Sequence, residues 1–415
     1  MLTRLKKATG GLPRTFWYLW WGNLINRSGA FVTIALTFYL NNERGFDPSL
    51  VGLILGLIGA GGAVGSLLGG QLADRWGRRS CLLLSQVLTA AMLLLLSAGR
   101  QPWLLGATAL LLGISQSMAR PAFAAMMVDI VPEADRKRAF SLNFWANNLA
   151  FTVAALLGGY AAEHNYTVVF AADAATTLAM ACIIFLRAPE SRPDTRRLDR
   201  AAKADQNPFR DRAFLTLCLM SFLGTLIFLQ YQSSLPLDMN DKGLSAQTYG
   251  IVMSVNAVMI VLGQLFIADL TDTWDTTRTL AVTYVIVGVG FGLTAFADNV
   301  WLYVLSVSVW TVGEMLQSPG MSATLAELSP ATARARYQSV FSLSIMAASF
   351  LAPTAGGFVI DSLGSDALWA GCLVLGVLTA LLTLASGPAR ERRAEELRQR
   401  ATTATDETAS TSDTA

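Results

Sequence analysis

Of the 415 residues, 53% are hydrophobic and only 14% are charged, where a soluble domain carries about 25% charged residues. A deficit of that size over the whole length excludes a soluble globular chain and points to a polytopic membrane protein. The net charge of +2 singles out no partner and gives no nucleic-acid signature. One histidine, His164, and four scattered cysteines, Cys81, Cys182, Cys218 and Cys372, exclude a Cys/His metal cluster.

Crossing a bilayer takes about 20 apolar residues. By that measure the sequence predicts twelve spans, over 16–40, 49–73, 80–99, 103–130, 138–162, 166–187, 213–238, 248–270, 278–297, 300–328, 337–360 and 366–387. The expected fold is an all-α membrane protein of twelve transmembrane helices in two pseudo-symmetric six-helix bundles. The first bundle occupies 1–186 and the second 213–388, joined by a charged, Pro-containing linker at 187–212. A tail at 389–415 follows, and its polar end from Ala401 is expected to be disordered.

Span 1 follows the basic residues Arg4, Lys6, Lys7 and Arg14 and has no small-residue cleavage site in its flank. It reads as a retained helix rather than a signal peptide. Asn23 and Arg27 lie one turn apart on one face, and Asn26 borders it. An ionisable group at such depth faces a bundle interior or a watery cavity by default.

Between spans 2 and 3 stands GGQLADRWGRR, Gly69 to Arg79. A turn carrying Asp74, Arg75, Arg78 and Arg79 cannot enter lipid, so it marks a membrane surface. Gly70, Leu72, Ala73, Asp74, Arg75, Gly77, Arg78 and Arg79 give this stretch its likeness to a known loop. It resembles the loop between the second and third helices of the major facilitator superfamily of transporters. The resemblance implies two bundles around a central site, lined by spans 1, 4, 7 and 10. It also implies that Asp74 latches onto the start of span 11 in one state and lets go in the other. A carboxylate at that positive helix end is favoured by about 0.3–1 kcal/mol. The second copy of the loop, DLTDTWDTTR, gives Asp272 the same role toward span 5, with Arg278 as its only arginine.

Span 4 carries Gln116, Ser117 and Arg120 on one face, with Pro121 as a kink. Asp129 with Arg136, and its repeat mate Glu327 with Arg334, read as gate ion pairs at the ends of spans 4 and 10. In span 5, AALLGG keeps Gly158 and Gly159 of the Gly-Pro-x-x-Gly-Gly pattern found in many antiporters of the family. Ala154 and Ala155 stand where that pattern has Gly-Pro, which leaves the direction of transport open. Asp173 in span 6 is expected near the outer surface, bonded locally, and ranks second as a proton-coupling group.

Span 7 supplies Gln230, Tyr231 and Gln232, and span 10 supplies Glu314 and Gln317. Together with Asn23, Asn26, Arg27, Gln116 and Arg120 these are the candidate substrate ligands, apart from Glu314. Glu314 is the one acid placed at mid-depth in a cavity-lining span, so it is the first candidate for proton coupling. Pairing with Arg27 or Arg120 would tie its protonation to a change of state. Trp103 and Trp301 open spans 4 and 10 as interfacial anchors.

An internal repeat supports the two halves. Positions 198 apart carry the same residue at Gly52 and Gly250, Gly65 and Gly263, Asp74 and Asp272, and Trp103 and Trp301. The same offset joins Pro121 with Pro319, Arg136 with Arg334, and Gly158–Gly159 with Gly356–Gly357. Of the 31 lysines and arginines, 26 fall on alternate loops beginning with the N-terminus. The opposite loops hold 3, Arg44, Arg100 and Lys242, and 2 lie within spans. Both termini are therefore expected in the cytoplasm of a multi-pass cell-membrane protein.

These readings converge on a secondary transporter for a small solute, working as a monomer in the lipid bilayer with protons as the coupling ion. The pattern resembles bacterial drug/proton antiporters, which implies export. Two arginines inside spans suggest instead proton-coupled uptake of an anionic or zwitterionic solute. No GxxxxGK[ST] run is present, and no cofactor or metal is expected. A membrane-embedded enzyme would need a catalytic cluster that the sequence does not offer. A non-transporting sensor would have to signal through a short polar tail.

Overall fold

The computed structural model describes residues 11–132, 135–190, 207–271, 274–330 and 333–412. The first predicted span is two helices, α1 (Arg14–Ser28) and α2 (Val32–Phe38), the second running into a π-helical turn at Tyr39–Glu43. Spans 2 to 6 are α3 (Pro48–Trp76), α4 (Arg78–Ala98), α5 (Pro102–Ile130), α6 (Arg136–His164) and α7 (Tyr166–Arg187). Span 7 is again split, into α8 (Arg212–Phe228) and α9 (Gln230–Asp241). Then come α10 (Ala246–Thr271), α11 (Thr276–Leu293), α12 (Val300–Leu328), α13 (Arg334–Leu363) and α14 (Ser365–Ser412).

Local chemistry sets most of these ends. Pro48 and Pro102 open α3 and α5 in the first turn, where a missing N–H costs nothing. Asp211, Asp275 and Asn299 accept backbone N–H bonds as N-caps of α8, α11 and α12. Gly77, at φ +101°, is the single residue between α3 and α4. Glu190 closes that turn by accepting from the N–H groups of Arg79 and Ser80, at 3.0 and 3.2 Å.

Ten helical stretches among the described residues are long and apolar enough to cross a membrane. The first span falls outside that set, its two helices of 15 and 7 residues being separated by residues 29–31, and so does the tenth, α12. The apolar run of the first span continues through residue 40, but Gly29 turns its N–H back to the carbonyls of Ile25 and Asn26. Gly29 also lies against Thr176 of α7, where no Cβ would fit. The second break, at Leu229, falls at the repeat mate of Phe31. Both halves therefore interrupt their first span at the same level. α14 continues through Pro388 as far as Ser412, so the stretch 401–412, expected to be disordered, is helical here.

The start of α1, Gly77 and the end of α7 lie on one side of the bundle, here the linker face; the turns at residues 44–47 and 242–245 lie on the other, the distal face. Toward the distal face one continuous apolar core joins both halves, from Leu36 and Phe38 to Tyr249, Trp310 and Trp369. Toward the linker face the apolar clusters belong to one half each.

The distal seam obeys the repeat. A Cβ at Gly52 would meet Pro353 O and Gly357 Cα; one at Gly250 would meet Ala155 O and Gly159 Cα, each residue the mate of its counterpart. Asn42 and Asn240, themselves mates, exchange amide bonds of 2.9 and 2.7 Å. Thr37 also donates to the carbonyl of Gln232 at 3.3 Å, and Ser49 to Asp361 at 2.6 Å. Trp103 and Trp301 are 70% and 80% exposed at the distal ends of α5 and α12, as expected of interfacial anchors.

Candidate functional site

A cavity of about 270 Å³ opens inside the N-terminal half. Asn23, Asn26 and Arg27 of α1 line it, together with Gln116 and Arg120 of α5 and Asp173 of α7. Five of the candidate substrate ligands thus converge with the second-ranked acid. The cavity also takes Gln86 and Thr89 from α4, Asn143 and Asn147 from α6, and Thr177 from α7. These were not among the expected ligands because substrate ligands were sought on spans 1, 4, 7 and 10. Asn143 and Asn147, one turn apart on a helix face, were the available signal.

The polar groups are organised by Asn23 and Asn26. Asn23 donates through Nδ2 to Oδ1 of Asn143 at 3.0 Å and of Asn147 at 2.8 Å. Asn26 donates to the Thr177 hydroxyl at 2.9 Å. Trp20, one turn earlier, donates its indole N–H to the Leu142 carbonyl at 3.1 Å. α1 is thereby bound to α6 and α7 along the face that carries Arg27.

Asp173 does not lie at the surface with local bonds, as expected. It is 5% exposed, and its Oδ2 accepts the N–H of Val32 at 3.1 Å across helices. The break at Gly29 explains the difference: it leaves the first N–H of α2 without an intrahelical acceptor, and the carboxylate supplies one. Neither Arg27 nor Arg120 has an ion-pair partner among the described residues.

The candidates of the C-terminal half do not line this cavity. Gln230 is 1% exposed and is spent on packing: it donates to the Ala352 carbonyl at 2.9 Å and accepts from Ser234 at 2.5 Å. Gln232 receives Thr37 through its backbone carbonyl. Gln317 turns its amide toward Gly224 and Tyr284, inside its own half. Tyr231 stacks on Trp310 at 6.0 Å and lies within electrostatic range of both Arg120 and Glu314, so it stands between the halves.

Glu314 pairs with neither arginine. Its Oε2 accepts from Asn256 of α10 at 2.9 Å, and Asn256 also donates to Thr311 at 2.9 Å. Asn256 went unnoticed because span 8 was not among the lining spans. A second buried acid was missed at a predicted span edge. Asp238 accepts the Tyr303 hydroxyl at 2.5 Å and pairs with Lys242 at 3.3 Å, and Lys242 also reaches the Ala297 carbonyl.

One of the two expected gate pairs is drawn differently, and the other gains a partner from elsewhere. Asp129 pairs at 2.5 Å with Arg78 of the signature loop, not with Arg136. Glu327 pairs at 2.8 Å with Arg398 of the long last helix. Its repeat mate offers the reason: Thr276 stands where Arg78 would be, so the second half draws its cation from α14. Both pairs brace a single half. Arg79 donates to the Phe185 carbonyl at 2.5 Å and likewise stays within its half. Asp74 and Arg75 are exposed on the linker face. Asp272 and the side chain of Arg334 lie outside the described residues.

The profile of the Major Facilitator Superfamily matches residues 19–238 and 217–410. The chain belongs to the Major Facilitator Superfamily. Among similar members, an uncharacterized MFS-type transporter of Bacillus subtilis, YttB, is 26% identical over 380 residues, covering 90% of this chain and 95% of its own. The multidrug resistance protein MdtH of Cronobacter sakazakii is 24% identical over 375 residues, covering 87% and 91%. A POT family transporter solved with 5-aminolevulinic acid superposes with a TM-score of 0.79 at 16% identity, over 92% of this chain and 98% of that one. The nucleoside transporter NupG, as a D323A mutant, gives 0.79 at 16% over 90% and 100%. At that identity the two structures share the fold. This member of the superfamily is thus a multi-pass membrane transporter of two six-helix halves.

Proposed function

We propose that the chain is a secondary transporter that exports a small solute across the cell membrane by alternating access, in exchange for protons. The observation that carries the reading is the paired interruption of spans 1 and 7. Broken helices at matching positions of two repeats surround the solute site in transporters of this architecture, and here the first break borders the polar cavity. The linker face is cytoplasmic in this reading, supported by the excess of lysine and arginine there. The halves meet at the distal seam and stay separate toward the cytoplasm, which is the inward-facing state. The relative named as a multidrug resistance protein supports export.

Glu314 carries the coupling proton. Its described partner is the neutral amide of Asn256, so a proton can be added without breaking an ion pair. Asp173 is the second acid, and Asp74 belongs to the cytoplasmic latch of the opposite state. The test uses proteoliposomes and a solute found by thermal shift among drugs, peptides and organic anions. An inward proton gradient should drive the solute outward. Movement in the same direction as protons would overturn export. Glu314→Gln should stop gradient-driven transport while solute exchange continues, and unchanged concentrative transport would remove Glu314 from the coupling role.

A further inference from the structure

We infer that the cavity of the N-terminal half is an oxyanion site, and that the transported solute is an organic anion with an apolar body. The inference rests on the transporter reading above for its biology but not for its test. Its basis is the excess of positive charge in the cavity lining, with amide donors beside it.

Two guanidinium groups, Arg27 and Arg120, share one cavity inside the membrane-spanning bundle; neither makes a direct ion pair among the described residues, and Asp173 acts on Arg27 only at longer range. Arginine so placed within a span calls for a partner. The lining holds one carboxylate against two cations, and one oxygen of that carboxylate, Asp173 Oδ2, is already bound to the Val32 N–H. The cavity therefore keeps a positive balance that an anion would neutralise.

The amides point the same way. Asn143 and Asn147 each use one lone pair of Oδ1 to accept from Asn23, which fixes their orientation and leaves their NH₂ groups as donors. Two guanidiniums and two amide donors thus surround one space of about 270 Å³. That size, just below the usual range of ligand pockets, suits a compact metabolite-sized anion. Arginine binds carboxylate and phosphate through paired N–H groups, so both head groups fit this chemistry. Phe123 and Phe140 supply an apolar wall for the rest of the molecule.

The experiment titrates the purified full-length protein in detergent with benzoate, phenyl phosphate, benzylammonium and benzamide, which share a ring and differ in charge. Saturable binding of benzoate or phenyl phosphate, with weaker binding of the amide and amine, is expected. The carboxylate and phosphate arms identify the head group. Arg120→Gln should weaken anion binding about tenfold to a hundredfold, as loss of a charged hydrogen bond does. Arg120→Lys keeps the charge and should recover part of it, which separates a binding loss from misfolding. Benzylammonium binding as tightly as benzoate, or anion binding unaltered in Arg27→Gln and Arg120→Gln, would overturn the inference, as would no anion-selective binding by any probe. Failure here leaves proton-linked transport in liposomes untouched, and failure of that transport leaves the titration readable.

Discussion

Replacing Gly52 by alanine should open the distal face. A Cβ there would sit 2.2 Å from the Pro353 carbonyl oxygen and 3.0 Å from Gly357 Cα. Both are backbone atoms, so no side chain can swing away; α3 and α13 must separate. An extra methyl forced into a packed contact costs about 1–3 kcal/mol. The cost falls on the distal-closed form alone, because the contact is absent once the halves part. The balance should then move toward the distal-open form by about 5- to 150-fold. Alanine improves helix propensity over glycine by about 1 kcal/mol, so a weakened helix cannot account for such a shift. The assay places one cysteine at Thr37, buried in the seam beside Gln232. The exposed native thiol, Cys182, is replaced by alanine. A membrane-impermeant maleimide then reports how fast the seam opens. Gly250→Ala, whose Cβ would meet the Ala155 carbonyl at 2.1 Å, should act alike. Labelling at the wild-type rate in both variants would refute the reasoning.

Asn240→Ala removes the amide exchange with Asn42 and the bond to Asn41. The freed amides meet water, so labelling should rise by less than tenfold, and a rise beyond that of Gly52→Ala would contradict the ranking. Asp74→Asn acts on the other state. Asp74 is exposed here, so this form loses nothing, while the form that seals the linker face loses its latch. Labelling of the distal seam should therefore slow, and faster labelling would give Asp74 another role.

The sequence carried the helices and the repeat because both are local or periodic. Pro48, Pro102 and Gly77 mark helix ends by their own backbone chemistry, and twelve runs of the right length announce a bilayer. The offset of 198 survives in the structure as contact. The break at Gly29 was not legible in the same way. Hydropathy measures the length of an apolar run and not its continuity, and what makes the break tolerable is a carboxylate on another helix. The choice of partners was equally hidden. Asp129 has several arginines nearby in sequence, and only the packing of α4 against α5 selects Arg78. Gln230 looked like a ligand on polarity alone. A buried amide can equally well be satisfied by a neighbouring helix, and Ala352 and Ser234 do so.

The reciprocal bond between Asn42 and Asn240 has an evolutionary reading. A contact in which a residue touches its own repeat mate is isologous, as at the axis of a two-fold dimer. A single six-helix ancestor pairing with a second copy of itself could make the same clasp before any fusion of the halves. Ser49 and Asp361 break that rule, since their mates are Gln247 and Glu163. Departures of this kind are where a fused chain, freed from identical subunits, can give the two halves unequal tasks.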